Sequence, residues 1–226
     1  MSPAFYPNPR QCKHLIESCS TLNLNLHLFG FGEPWPGYVE AKVVRLLWEI
    51  ERIECDHVMV TDAVDSFVMA DEEEIMECFK SSGSECVISA EKNCWPYEAL
   101  ARHYPKSISP WRYVNSGGFM GTKDAICKLL REMHDSLSAS NGGYEQFTMS
   151  LVYLNGFPAQ LDTLCRLFQT ASDARREEFA WHGNRLYNTV TKSYSCVIHF
   201  NGHTAGIEKT FERRFSPCVS LKVTSL

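Results

Sequence analysis

The stretch Val58-Met59-Val60-Thr61-Asp62-Ala63-Val64-Asp65 passes from three consecutive apolar residues into two carboxylates separated by a turn. A short apolar run bounded by turn residues reads as a strand buried on both faces, the kind found inside α/β sheets. Helices and further strands flank it in alternation. Upstream, Val39, Val43, Leu46, Leu47, Ile50 and Ile53 recur at helical spacing, which predicts an amphipathic helix over Tyr38 to Arg52. Before that, Leu24-Asn25-Leu26-His27-Leu28-Phe29 alternates apolar and polar residues and stops at Gly30, a strand followed by a turn. Downstream, Glu72 to Lys80 reads as a helix, and Cys86-Val87-Ile88-Ser89 as a second buried strand running out into Ala90-Glu91. This alternation predicts an α/β domain of Rossmann-like type, with a mainly parallel central sheet flanked by helices.

Further on, Tyr113 to Gly121 is interrupted by glycines, so the backbone there approaches something closely. Helices are expected from Thr122 to about Ser136 and from about Tyr144 to Tyr153, with strand-like pieces at Cys165 to Phe168 and Cys196 to Phe200. No linker or repeat divides the 226 residues, so residues 1–206 read as one domain and 207–226 as a tail of uncertain structure. Met1 to Arg10 holds three prolines and does not read as a buried strand.

Composition narrows the function class. Hydrophobic residues at 44% and charged residues at 22% are those of a globular protein, and a formal charge of −5 argues against a dominant nucleic-acid footprint. No apolar run approaches the ~20 residues of a membrane span, and the N-terminus shows no secretory signal. Together these predict a cytoplasmic location, or the secretory lumen if the chain is an excised domain. The ten cysteines include no Cys-x-x-Cys pair, which argues for reduced thiols over a zinc site or a disulfide set.

Three constellations hold the chemistry. Asp62 and Asp65 follow a strand at the sheet edge where α/β proteins bind ligands, and two such carboxylates suit a hard divalent cation bridging diphosphate oxygens. They equally suit simple turn aspartates, or an N-cap for the helix starting near Asp71. His199 ends the run Cys196-Val197-Ile198 and precedes Asn201-Gly202; an imidazole there is either a metal ligand or a hydrogen-bonded strand-end residue. Glu91 and Trp95 lie past a strand end, offering a base and a flat face for a sugar ring, or a buried Trp beside a helix. Asn115, Gly117 and Gly118 either cradle a sugar or phosphate or mark a tight strand crossing.

Taken in order, several segments resemble the glycosyltransferase domain of procollagen lysyl hydroxylases and collagen galactosyltransferases, a GT-A fold. They are Gly30-Phe31-Gly32-Glu33-Pro34-Trp35, Lys42-Val43-Val44-Arg45, Thr61-Asp62-Ala63-Val64-Asp65 and Ser89-Ala90-Glu91-Lys92-Asn93-Cys94-Trp95-Pro96, followed by Arg112 to Gly121, Glu145-Gln146 and His199-Phe200-Asn201-Gly202. The resemblance implies that Asp62, Asp65 and His199 hold Mn²⁺ on the diphosphate of a UDP-sugar. It places Trp95 and Glu145 in the sugar and acceptor pocket, and Lys42, Asn201 and Gly202 near the donor's phosphates. It implies UDP-glucose or UDP-galactose as donor, and hydroxylysine or its galactosyl derivative as acceptor. The chain departs from the pattern where Val64 replaces an aromatic residue that stacks on uracil, with Phe31, Trp35 and Tyr38 as substitutes. It departs again where Tyr144-Glu145 replaces a pair of aspartates, in a shortened loop between Trp35 and Lys42, and in the missing lysine after Gly202.

The reading is a metal-dependent hexosyltransferase in which Glu145, and second to it Glu91, orients or deprotonates an acceptor hydroxyl. The rival readings are a degenerate, non-catalytic sugar-nucleotide-binding module, and a transferase acting on a hydroxylated nucleobase or small metabolite.

Overall fold

The computed structural model describes residues 1–5, 9–138 and 144–204, and the tail at 207–226 lies outside them. In chain order, β1 (Ser2–Pro3) and α1 (Lys13–Thr21) precede β2 (Leu28–Phe29), and a π-helical stretch, Glu40–Arg45, leads into α2 (Leu46–Arg52). Then β3 (His57–Thr61) and β4 (Ser66–Val68) flank the acidic turn, followed by α3 (Glu72–Ser81), β5 (Cys86–Glu91), β6 (Tyr113–Thr122), α4 (Lys123–Ser138) and α5 (Glu145–Leu154). Strands dominate the remainder: β7 (Gln160–Asp162), β8 (Phe168–Thr170), β9 (Phe179–His182), β10 (Arg185–Asn188), β11 (Ser193–Tyr194) and β12 (Val197–His199).

The central sheet has the order β3-β6-β5-β7. β6 runs antiparallel to both β3 and β5, whereas β5 and β7 are parallel, so three strands share one direction and one is reversed. All six residues of β5 are buried, which is why its sequence shows an apolar run without alternation. A second sheet, β4-β12-β8, is tied to the first where Thr170 Oγ1 donates to the Ala90 carbonyl at 2.8 Å. The antiparallel trio β9-β10-β11 forms a small third sheet. The main core gathers Ile88, Trp111, Phe119, Leu129, Leu130 and Met133 from the central sheet, α4 and the chain between β5 and β6. No helix among the described residues is long and apolar enough to cross a membrane.

Two local expectations are corrected. The residues 38–52 do form one helical segment, but Glu40–Arg45, which includes Lys42, is wound in π turns, a geometry that recurs at functional sites. The N-terminal segment is a buried strand after all. β1 pairs in parallel with β2, and Ser2 Oγ donates to the Thr61 carbonyl at 2.5 Å. Pro3 is tolerated because the N–H groups facing β2 belong to Ser2 and Ala4, at 3.0 and 2.8 Å from their acceptors, so the missing donor falls on the other side.

Asp71 caps α3 itself, its Oδ1 accepting from the Glu74 N–H at 3.0 Å, with three glutamates in the first turn favouring the helix dipole. Asp62 and Asp65 are therefore released from that role.

Gly121 lets β6 close against the turn before β5: a Cβ there would sit 2.5 Å from the Glu85 carbonyl oxygen, which is backbone and cannot swing away. Gly121→Ala is expected to cost about 1–3 kcal/mol in urea unfolding, as overpacked sites do. An unchanged midpoint would show that the junction has slack.

Candidate functional site

The strand directions bring the chemistry to one edge. β3 delivers Asp62 and Asp65, β5 delivers Glu91, and β12 delivers His199, while the reversed β6 starts there and contributes Asn115 to Gly117. The Asp62 N–H donates to the Gly117 carbonyl at 3.0 Å, and the Phe200 N–H to the Asp65 carbonyl at 2.8 Å, which locks the acidic turn to both neighbours.

His199 Nε2 lies 3.4 Å from Asp62 Oδ2 and 3.3 Å from Asp65 Oδ1, aligned with neither for a hydrogen bond. Its Nδ1 faces Asn115 Oδ1 at 3.2 Å; since that amide oxygen can only accept, Nδ1 is the donor and Nε2 is turned to the carboxylates. One ligand atom from each of the three residues falls within 4.8 Å of the others. Two carboxylates and one imidazole, whose buried Nε2 has no hydrogen-bond partner, fit a divalent cation such as Mn²⁺. Gly117 makes room for this: a Cβ there would lie 2.0 Å from His199 Cε1. Burial alone would depress the imidazole pKa, but Asp65 and Asp62 raise it to about 10.

Lys42 joins the two halves of the site. Its Nζ is 2.6 Å from Asp62 Oδ1 and 3.2 Å from Glu145 Oε1, with the side chain only 14% exposed. Burial opposes its charge, yet these two carboxylates hold the ammonium above its ordinary pKa. Burial likewise pushes Asp62 up, and Lys42 and His199 overcome it and keep the carboxyl well below the usual range.

The two glutamates differ in what they leave open. Glu91 Oε1 accepts from Gln146 Nε2, and its Oε2 accepts from Asn201 Nδ2 at 3.0 Å. Burial pushes its carboxyl up, against those hydrogen bonds. Glu145 Oε1 takes Lys42 and the Ser116 hydroxyl at 3.1 Å, but its Oε2 is buried with no partner.

A cavity of about 330 Å³ is lined by Lys42, Asp62, Asp65, Glu91, Trp95, Asn115, Gly117, Glu145, His199, Asn201 and Gly202. Trp95 is half-exposed rather than buried. Asn201 is partly structural, its Oδ1 accepting from the Ala171 and Ser172 N–H groups at 3.2 Å each. Gly118 does not line the cavity; the missing side chain admits Phe168, whose ring a Cβ would meet at 2.7 Å. Trp35 instead lines an adjoining cavity of about 230 Å³ with Pro3, Tyr38 and Val64. Gln146 was missed as a site residue, although it stood beside Glu145 in the sequence. Its amide binds Glu91, the Trp95 carbonyl at 3.2 Å and the Ser116 N–H at 3.1 Å.

With this geometry in hand, comparison with known proteins gives one family: residues 10–209 match the model of the PLOD GT domain. The chain belongs to this glycosyltransferase family. Similar proteins include "Uncharacterized protein R699" of Acanthamoeba polyphaga mimivirus, 30% identical over 81% of this chain and 41% of that one. The human multifunctional procollagen lysine hydroxylase and glycosyltransferase LH3 is 28% identical over 84% of this chain and 28% of its own length. The chain thus spans less than half of these curated relatives. Among solved structures, a glycosyltransferase involved in the glycosylation of the major capsid of PBCV-1 aligns with a TM-score of 0.57 and 16% identity, covering 93% of this chain and 97% of that one. The fold of this PLOD-type GT domain is accordingly that of a GT-A glycosyltransferase.

The raised imidazole in this GT domain sets a pH window. With a chelator present, the stability that protonated His199 contributes is fully present below its ordinary value of 6.5 and is lost as pH rises through about 10. Urea unfolding across that range should show the loss, and His199→Gln should flatten it. An equally steep loss in His199→Gln would assign the effect to other groups.

Proposed function

We propose that this domain transfers a hexose, glucose or galactose, from a UDP-sugar to a hydroxyl acceptor such as hydroxylysine or its galactosyl derivative, with Mn²⁺ held by Asp62, Asp65 and His199. The observation that supports this most is one cavity lined by two residues with a buried polar atom that lacks a hydrogen-bond partner: His199, whose Nε2 faces two carboxylates, and Glu145, through Oε2. A divalent cation supplies charge neutralisation for a departing nucleotide diphosphate. Lys42, fixed between Asp62 and Glu145, adds positive charge to the same region. Glu145 Oε2 accepts a hydrogen bond from the acceptor hydroxyl and orients it. Glu91 serves as a positioning residue, because both of its oxygens are engaged. Residues 1–206 act as one transferase unit in this reading.

The nucleobase is assigned to the adjoining cavity. Val64 offers it no ring, but Trp35 and Tyr38 line the same space, their centroids 5.2 Å apart in an edge contact. A face from either supplies stacking of the kind worth ~1–3 kcal/mol elsewhere. The Val64 departure, together with the missing lysine after Gly202, favours a sugar-nucleotide-binding module without turnover.

UDP release from UDP-glucose and UDP-galactose, with Mn²⁺ present and then chelated, separates the two readings. Turnover that stops on chelation supports the transferase, whereas manganese-dependent UDP binding without any release supports the module. In this assay Asp65→Ala is expected to abolish manganese-dependent turnover while the protein stays folded, since Asp65 is partly exposed and outside the core.

Glu145→Gln should lose about 10²-fold or more in transfer rate with UDP affinity retained. Transfer close to wild type would end the orienting role and leave this carboxylate as a structural partner of Lys42 and Ser116.

A further inference from the structure

Two cysteines take no part in the transferase site and lie against one another. Cys78 is on α3, Cys196 immediately precedes β12, and both thiols are free. Ile75 and Phe79 of α3 enter the same buried cluster as Cys196 and Val197, and Cys78 packs against that cluster. Arg185 holds the two carriers together. Its guanidinium donates to both Glu74 oxygens, at 2.5 and 2.7 Å, and to the Ser195 carbonyl at 3.2 Å. Glu74 stands one helical turn before Cys78 on the same face of α3, and Ser195 directly precedes Cys196. The backbone of Cys196 is pinned as well: its N–H donates to the Arg166 carbonyl at 3.0 Å, and its carbonyl accepts from the Met69 N–H at 2.7 Å.

The two sulfurs differ in access and in character. Cys78 is half-buried and lines a cavity of about 90 Å³ with the exposed Ser81, Gln160 and Arg166, so a small reagent can approach it from solvent. Cys196 has no exposed surface. The thiols are hydrogen-bonded to each other, and that bond holds the Cys78 thiol below its ordinary value, with help from Arg166 and against burial, Glu74 and Asp162. The same bond raises the Cys196 thiol, as burial does. Cys196 is therefore the S–H donor, and Cys78 Sγ is the acceptor with thiolate character. A reachable sulfur with thiolate character beside a second thiol is what selective thiol–disulfide chemistry requires.

We propose that Cys78 and Cys196 form a reversible thiol–disulfide modification site, entered by a small-molecule disulfide at Cys78 and closed by Cys196. In the first step the Cys78 thiolate attacks one sulfur of that disulfide; a mixed disulfide forms on Cys78 and one thiolate leaves. Consuming Cys78 removes the hydrogen bond that kept Cys196 protonated. Cys196 then gives up its proton and attacks Cys78 Sγ, and the second thiolate leaves as the Cys78–Cys196 bond forms. Both cysteines are oxidised, the reagent is reduced to two thiols, and the cysteines' protons end on those thiols. The closed bond ties α3 to β12, which ends at His199 and pairs with β4 just past Asp65. It also closes the chain from 78 to 196 into one long loop, the kind of closure that most restricts an unfolded chain.

The test exposes the folded chain to 2-hydroxyethyl disulfide, then maps its cysteines by alkylation and peptide mass spectrometry. The wild type should yield a Cys78–Cys196 cross-linked peptide that dithiothreitol removes, and Cys196→Ser should stop at the mixed disulfide on Cys78. Cys196→Ala replaces that variant if a hydroxyl in this buried place prevents folding, as thermal melting will establish. Cys94 is the comparison: it too is half-buried, but burial pushes its thiol up, so it should be modified about tenfold or more slowly than Cys78. The cross-linked protein should unfold at a higher urea concentration than the reduced protein. An unmodified Cys78 in the folded wild type, a mixed disulfide on Cys78 that persists there without the cross-link, or a lower urea midpoint after cross-linking would overturn the site. None of these readouts depends on manganese or a nucleotide sugar, so they stand apart from the transferase reading.

Discussion

A single ammonium group, that of Lys42, holds the site together. Its two partners come from distant parts of the chain: Asp62 from the turn after β3, and Glu145 from the first turn of α5. Four carboxylates line one cavity, and so many negative charges in a partly dry space repel one another and lose hydration. Lys42 relieves that repulsion at two of them, from a place within the π-helical turns over Glu40–Arg45. Removing either partner of such a pair leaves the other charge buried and uncompensated, which is where the cost of breaking it arises. The Asp62 side and the Glu145 side of the cavity are thus coupled through one side chain before any ligand binds.

The second constraint is steric. β6 passes so close to its neighbours that Gly117 and Gly118 have no room for a Cβ, the first against the His199 ring and the second against Phe168. Both contacts join the central sheet to the β4-β12-β8 sheet, because Phe168 lies in β8 and His199 in β12. The same close approach that packs the two sheets also delivers the imidazole to the acidic turn. Fold and site are not separable here, since a side chain on Gly117 would disturb both.

Much of this was legible in the sequence, and the reasons for the gaps are physical. The apolar runs of β3 and β5 and the helical spacing of residues 38–52 announced an α/β sheet, because burial leaves a periodic trace. The reversed direction of β6 left no such trace: strand polarity is set by connection and packing, and Tyr113 to Gly121 reads the same either way. The N-terminal strand was hidden because prolines argue against strands in general, while the decisive matter is which N–H faces the partner. The ordered words that resemble the PLOD GT family brought Asp62, Asp65 and His199 together on paper, and the structure places them around one point. Glycine's two possible readings, cradle or crossing, could be told apart only by seeing what a Cβ would strike. Gln146 escaped notice because a glutamine has no charge or periodicity to advertise it, although its amide is the hub of the hydrogen bonds behind the cavity wall.

The contrast between Glu91 and Glu145 shows how such a hub assigns roles. Each carboxylate is buried, each stands at an element end, and on sequence grounds either one suits an acceptor hydroxyl. What separates them is not their own identity but the donors around them. Gln146 and Asn201 consume both oxygens of Glu91, and in doing so they fix the loop that carries Trp95 and the turn that carries Gly202. Glu145 meets Lys42 and Ser116 through a single oxygen, and nothing in the protein satisfies the other. An unsatisfied buried oxygen is costly to a fold on its own terms, so its persistence beside a cavity is explained most simply by a partner that comes and goes. By that reasoning Glu91 builds the wall of the pocket, and Glu145 is the carboxylate to which the proposed reading gives the acceptor hydroxyl.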